Sequence, residues 1–180
     1  MKKIVFGLLL SGFASLQLAQ AQTTGPVGYS ERVPEEGVSK SVLYRRAYDW
    51  VENHFIYAPK TVIQTDTIKG EVRIEGTGKV KTASPSGKLQ ELPVRFEFVF
   101  HTLPTGYDYS VGSFRLISDP SKPDETIGFD EFVAQLATER SNARTHNDRR
   151  VTAQATSLAS EVALSFRSYM NSRPAEGAVE

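Results

Sequence analysis

The sequence predicts an α+β domain in which an antiparallel sheet is covered on one face by helices. Three observations carry that expectation. Val94, Phe96, Phe98 and Phe100 alternate with Arg95, Glu97, Val99 and His101, the period of two that marks a strand with one apolar face. From Ile68 to Thr82 the charged residues Lys69, Glu71, Arg73, Glu75, Lys79 and Lys81 take one parity, while Gly70, Val72, Ile74, Gly76, Gly78 and Val80 take the other. An unbroken alternation of that length is what a long, half-buried antiparallel strand requires. Helical spacing governs both flanks of this block, through Leu43, Ala47, Trp50 and Val51 before it and Val151, Ala155, Leu158, Val162, Phe166 and Tyr169 after it.

The first residues read as an export signal. Lys2 and Lys3 precede the apolar run Ile4 to Leu10, and Ala19-Gln20-Ala21 is a small-x-small cleavage site. Residues 1–21 are therefore predicted to be a signal peptide cleaved after Ala21, sending the chain to the periplasm or beyond. The apolar run is far shorter than the roughly 20 residues that span a bilayer, and no later stretch is apolar enough, so no transmembrane segment is expected after cleavage. The chain has no cysteine, which excludes a lipidated cysteine, a disulfide, a thiolate metal site and a cysteine nucleophile. Loss of Lys2 and Lys3 leaves 19 basic against 21 acidic residues. That balance gives no electrostatic reason to bind nucleic acid, whose affinity comes from neutralising several phosphates.

The elements follow in order. Residues 22–37, rich in Gly, Pro, Ser, Thr and Glu, read as a flexible lead-in with one edge strand at most, at Val27 to Val33. Ser39 offers an N-cap to a helix over Ser41 to Phe55, and His54 falls on its apolar stripe, the usual place of a core histidine. Pro59 turns the chain into extended structure. "TVIQTDT", the glycine-bearing strand and "LPVRFEFVFH" then form a meander, with turn chemistry at Ser84 to Lys88 and Leu103 to Gly106. Apolar parity changes from Tyr107, Tyr109 and Val111 to Phe114 and Leu116 across Gly112, which predicts a bulge there. After the polar loop "SDPSKPDE", Phe129, Phe132, Val133 and Leu136 begin a helical region. "SNARTHNDRR" is too polar to be buried and reads as a solvated stretch of one long helix or a break between two. The chain divides into the lead-in, a single domain over 38–171 and a disordered tail over 172–180.

Three glycines in nine residues raise the question of a phosphate loop. Such a loop needs glycines where a strand meets a helix, and here strand is followed by strand, without G-x-x-x-x-G-K-[ST] or G-x-G-x-x-G. Gly76 and Gly78 read instead as places where the strand bends or admits another backbone. The last helix is the natural neighbour, because Ala153, Ala155, Ala159, Ser160 and Ala163 are small.

The helix "LYRRAYDW" and the spacing Asp66-x-x-x-Gly70-x-x-x-x-x-Gly76-x-Gly78, followed by the aromatic strand, resemble a known family. Over Glu36 to Ile117 the chain is similar to the exported bacterial domain of unknown function 4468, described as having a TBP-like fold. It departs from the family's Tyr-Arg-Tyr-like start of the last strand, which is here Tyr107-Asp108-Tyr109. The resemblance implies a TBP-like β-α-β(4)-α order and no activity. Fold alone does not imply DNA binding either.

Chemistry-bearing residues are sparse. His54, His101 and His146 have no ligand spacing, no serine sits in G-x-S-x-G, and Asp119, Asp124 and Glu125 lack the EF-hand pattern. Asp66 reads as the organiser of the turn into Gly70. No cofactor, metal or catalytic set is expected. Two candidate surfaces remain. Tyr44, Tyr48, Trp50 and Phe55 are expected to line a groove between sheet and helices for a small apolar ligand. Arg140, Arg144, Arg149 and Arg150 concentrate positive charge that suits an acidic partner. The expectation is an exported, non-enzymatic binding or interaction domain of the bacterial envelope. The alternative is an assembly or scaffolding factor that holds a protein partner through a sheet edge or the Arg140–Arg150 segment.

Overall fold

A computed structural model describes residues 26–172. The predicted signal peptide, its cleavage site and the tail beyond Ser172 lie outside the described residues. Six antiparallel strands and four helices follow one another as β1 (Tyr29–Pro34), α1 (Lys40–Asn53), β2 (Thr61–Asp66), β3 (Glu71–Ala83), β4 (Leu89–Leu103), β5 (Gly106–Ile117), β6 (Thr126–Gly128), α2 (Phe129–Thr138), α3 (Asn142–Thr145) and α4 (Asn147–Ser172). The sheet order is β1-β5-β4-β3-β2, and β6 pairs with the far half of β5. The helices pack on one face, as the amphipathic strands dictate. Short β6 extends the predicted strand order.

β1 lies within the stretch read as lead-in. It pairs with β5 from Tyr29 opposite Val111 to Pro34 opposite Gly106, and Val33 enters the core. Pro34 lacks an N–H, which suits an edge position. α1 starts where expected, because the Val42 N–H donates to Ser39 Oγ at 3.4 Å. It stops at Asn53, and the Lys60 ammonium donates to the free carbonyls of Val51 (2.7 Å) and Glu52 (3.3 Å) at its end. His54 is therefore not a core histidine: it lies past the last turn, exposed, with its ring against Tyr169.

The core is aromatic. Val94, Phe96, Phe98 and Phe100 of β4 are fully buried, as their alternation predicts. Phe166 of α4 stands among Trp50, Phe98 and Tyr109 at ring separations of 5.1, 4.9 and 4.8 Å. Each such pair adds about 0.5–1.5 kcal/mol beyond the area it buries. The bulge in β5 is present: Arg95 faces Arg115 while Glu97 faces Gly112, so β5 carries the extra residue. The left-handed position is Ser113 (φ 52°), not the glycine beside it.

The glycine strand needs two corrections. β3 begins at Glu71, so the alternation seen from Ile68 runs through a turn: Ile68 is 97% exposed and Gly70 has φ +70°. In that turn Asp66 Oδ1 accepts the N–H groups of Ile68 and Lys69, each at 2.9 Å. Gly76 and Gly78 do face inward, but each admits a side chain rather than another backbone. A Cβ at Gly76 would stand 2.5 Å from Phe55 Cζ, and one at Gly78 would stand 2.4 Å from Leu158 Cδ2.

The C-terminal region resolves into three helices. "SNARTHNDRR" is a break, formed where His146 adopts the left-handed conformation (φ 49°) and its N–H donates to Asn142 O. It is also partly buried, contrary to expectation, because Thr145 and Asn147 turn inward. α4 continues through Asn171 and Ser172, past the predicted end of the domain.

Candidate functional site

Arg144, Arg149 and Arg150 converge on one cavity of about 590 Å³, together with Lys81, His146 and the exposed Leu89. Local structure explains the convergence. Arg144 stands in the last turn of α3, Arg149 and Arg150 stand in the first turn of α4, and the left-handed His146 reverses the chain between them. Thr145 Oγ1 donates to Ser141 O at 3.1 Å, and the Asp148 N–H donates to Asn142 Oδ1 at 3.3 Å, which fixes α3 against the start of α4.

The other wall is the β3–β4 hairpin. β2 covers β3 only as far as Glu75, so the backbone edge beyond it needs other partners. Two side-chain amides of α4 supply them. Asn147 Oδ1 accepts the Ala83 N–H at 2.8 Å, and Asn147 Nδ2 donates to Ala83 O at 3.0 Å. Gln154 repeats the arrangement on Lys81, with both bonds at 2.9 Å. Each amide imitates a neighbouring strand, which closes this edge to pairing and clamps the hairpin beside the arginines.

The electrostatics are one-sided. Lys81 shares Glu91 with Lys79, at 3.2 and 3.0 Å. Their hydrogen bonds, Lys79 first, hold the Glu91 carboxyl below its ordinary range. Among the described residues, no carboxylate stands within ion-pairing distance of Arg144, Arg149 or Arg150, and none lines the cavity. Asp148 is next in sequence to Arg149. The Arg149 N–H, then the Asn142 side chain, lower its pKa and keep it ionised, and the charges of Arg149 and His146 act in the same direction, so one negative charge lies within electrostatic reach of Arg149. The N-terminal end of α4 adds a partial positive charge to the same region.

Arg140 is exposed in the turn that follows α2 and does not line this cavity. Lys81, Leu89 and Gln154 do line it, although nothing in their local sequence marks them. The hairpin brings them there through tertiary packing.

The predicted aromatic groove does not form. Trp50 is 1% exposed, wedged against Phe98, Phe55 and Phe166, and its indole N–H donates to Ser165 Oγ at 3.4 Å. Phe55 fills the space above Gly76 and meets Phe96. Tyr44 and Tyr48 stack on each other at 6.2 Å, with Tyr48 partly in solvent. The aromatics thus complete the core on one side and decorate α1 on the other.

The helix-free face of the sheet is charged but internally balanced. Arg73 stands between Glu71 (3.6 Å) and Glu97 (3.5 Å), and Arg95 between Glu75 (3.6 Å) and Asp124 (3.8 Å). His101 Nδ1 meets Asp108 at 3.0 Å, and Arg32 meets the same carboxylate at 3.8 Å. Cations already paired in this way leave little positive field for a phosphate backbone.

The sequence family described as "Domain of unknown function (DUF4468) with TBP-like fold" matches residues 29–116. Residues 29–116 of this chain form a DUF4468 domain. The matched segment runs from β1 to Leu116 of β5, so the three cavity arginines stand beyond it, on helices that follow the family segment. Two solved structures share the fold. A TBP-like protein from Parabacteroides distasonis superposes with a TM-score of 0.60 at 13% identity, covering 84% of this chain and 96% of that one. A DUF4468 family protein from Bacteroides ovatus gives a TM-score of 0.51 at 17% identity, covering 86% and 91%. At such identities the likeness concerns fold alone. Comparison with curated proteins gives no match. No helix among the described residues is long and apolar enough to cross a membrane.

Proposed function

We propose that this DUF4468 protein is an exported, non-enzymatic binding domain of the bacterial envelope that recognises an anionic partner through the cavity at the α3–α4 junction. One observation carries the reading: Arg144, Arg149, Arg150 and Lys81 surround one cavity whose described lining contains no carboxylate. Arginine side chains held together with no ion-paired carboxylate among the described residues attract anions, and their planar forks match carboxylates and phosphates bidentately. The Lys2–Lys3 start, short apolar run and Ala19-Gln20-Ala21 site support export. His54, His101 and His146 stand on separate elements, and no serine or threonine hydroxyl is hydrogen-bonded to a histidine among the described residues, which supports a binding role over catalysis.

Native mass spectrometry of the protein purified from its own envelope tests this reading. A retained anionic ligand or acidic partner is expected for the natural chain and is expected to be lost from Arg149→Glu/Arg150→Glu, with thermal melting unchanged because both side chains are exposed. Retention unaffected by the double substitution would contradict the reading, as would a chain that carries nothing.

A further inference from the structure

We infer that the basic cavity is one end of a longer cleft that docks an acidic, amphipathic peptide segment of a partner protein. The inference rests on the anionic-partner reading and adds the chemistry of the partner. A second cavity, of about 490 Å³, adjoins the first and shares Leu89 with it as a common wall. Its apolar lining includes Leu92, Phe132 and Leu136, and the last two are nearly buried, at 7% and 5% exposed. Leu89 itself is 53% exposed and stands between the apolar lining of one cavity and the arginines of the other. The cleft therefore offers an apolar pocket, a protruding leucine and a row of unpaired arginines in succession.

Three classes of anion could meet the arginines, and the lining separates them. A free phosphate would use the arginines and leave the apolar pocket without a role. An acyl chain needs an extended apolar channel, whereas Gln90, Ser141 and Glu139 stand among the apolar groups of the second cavity. A peptide uses all three kinds of group. One or two apolar side chains fill the space over Phe132 and Leu136, backbone N–H and C=O groups meet the polar side chains, and Asp or Glu residues reach the arginine forks. Charge complementarity favours an acidic partner, because among the described residues the one carboxylate lining either cavity is Glu139, at the apolar end.

Selection from a displayed library of random peptides, each roughly twelve residues long, tests the inference with the full exported chain as bait. The expected result is enrichment of sequences with one or two Leu, Ile or Phe residues beside clustered Asp and Glu. Affinity of a selected peptide should fall about a hundredfold on Arg144→Glu/Arg149→Glu/Arg150→Glu and about fivefold or more on Leu89→Gln, with melting retained in both. Selections without acidic enrichment, or peptides indifferent to these substitutions, overturn the inference. Inorganic pyrophosphate and phosphatidylglycerol vesicles are titrated in parallel. Arginine-dependent binding of either one without acidic peptide enrichment overturns the peptide docking and leaves the anionic-partner reading standing.

Discussion

The carboxamide of Asn147 binds both backbone groups of Ala83, so the first residue of α4 acts as a one-residue strand on the open edge of β3. The side chain is almost completely buried, at 5% exposed. Asn147→Leu removes two hydrogen bonds and leaves the half-buried N–H and C=O of Ala83 without these partners at the wall of the second cavity. Each such loss costs about 1–3 kcal/mol, and denaturant unfolding should show a total toward the upper end of that range. Gln154→Leu breaks the equivalent pair on Lys81 in a more exposed place, where water replaces the lost bonds, and the loss should be smaller.

Gly76 and Gly78 should respond unequally to the same added methyl group. At Gly78 the obstacle is the far end of the Leu158 side chain, which can rotate away, whereas at Gly76 it is the stiff ring of Phe55, with Phe96 Cζ also only 3.0 Å from the added Cβ. Gly76→Ala should cost about 2–3 kcal/mol and Gly78→Ala about 1 kcal/mol or less, with Gly78→Val returning to about 1–3 kcal/mol. Gly106→Ala should be worse than either. There φ is +141° and the new Cβ would stand 2.1 Å from the carbonyl oxygen of Val33, a backbone atom fixed by the β1–β5 ladder. Melting temperatures of the four variants test this order.

Asp66 gives the protein an acid-sensitive turn. The N–H groups of Lys69 and then Ile68 lower the carboxyl pKa below its ordinary value of 3.8, so the folded state holds the proton less tightly than the unfolded chain. The contribution to stability is therefore complete above that value and is lost as the pH falls through the folded pKa. Melting followed from neutral pH down to strongly acidic pH should show a smaller acid-induced decline for Asp66→Asn than for the natural chain. Equal slopes would contradict the assignment.

Tyr109 does the converse at alkaline pH. Burial, followed by the 2.5 Å hydrogen bond to Glu31, pushes its phenol well above the ordinary value of 10.0. A raised folded pKa contributes stability that is intact below the unfolded value and lost as the pH rises beyond it. Glu31 also accepts from the Tyr29 hydroxyl at 3.2 Å and lies 3.9 Å from Arg167, so the cluster ties the edge strand β1 to α4. Tyr109→Phe should cost about 1–2 kcal/mol and flatten the alkaline decline in stability, as read from phenolate absorbance and melting together.

The parts of the fold legible in the sequence were those written in short-range periodicity. The alternation of Val94 to Phe100, the Ser39 cap and the parity break beside Gly112 all correspond to observed features, because each depends on neighbours along one element. The same parity misled at Ile68 and Gly70, where turn residues happened to continue the strand pattern. A helical stripe showed that α1 had an apolar face but could not distinguish Trp50, which the core consumes, from Tyr44 and Tyr48, which reach its rim. Asn147 looked like a loop residue, because a buried amide declares itself only through the strand edge it meets.

The candidate site was half legible for the same reason. Arg144, Arg149 and Arg150 stood out as a local cluster of charge, and Arg140 seemed to belong with them until the end of α2 carried it elsewhere. Lys81 and Leu89 are more than fifty residues away in sequence, and only the clamp between α4 and the hairpin sets them beside the arginines.

We propose this cavity, and not the paired charges of the helix-free sheet face, as the place where the protein meets an anion. The most direct measurement is a nuclear magnetic resonance titration of the isotope-labelled chain with inorganic pyrophosphate at low salt, followed through the arginine Nε–Hε signals and the backbone amides. Saturable shifts are expected at Arg144, Arg149 and Arg150 and at the amides of Lys81 and His146, weakening as salt is added. Shifts centred on Arg73 and Arg95, or no saturable shift at the three cavity arginines, would contradict this proposal.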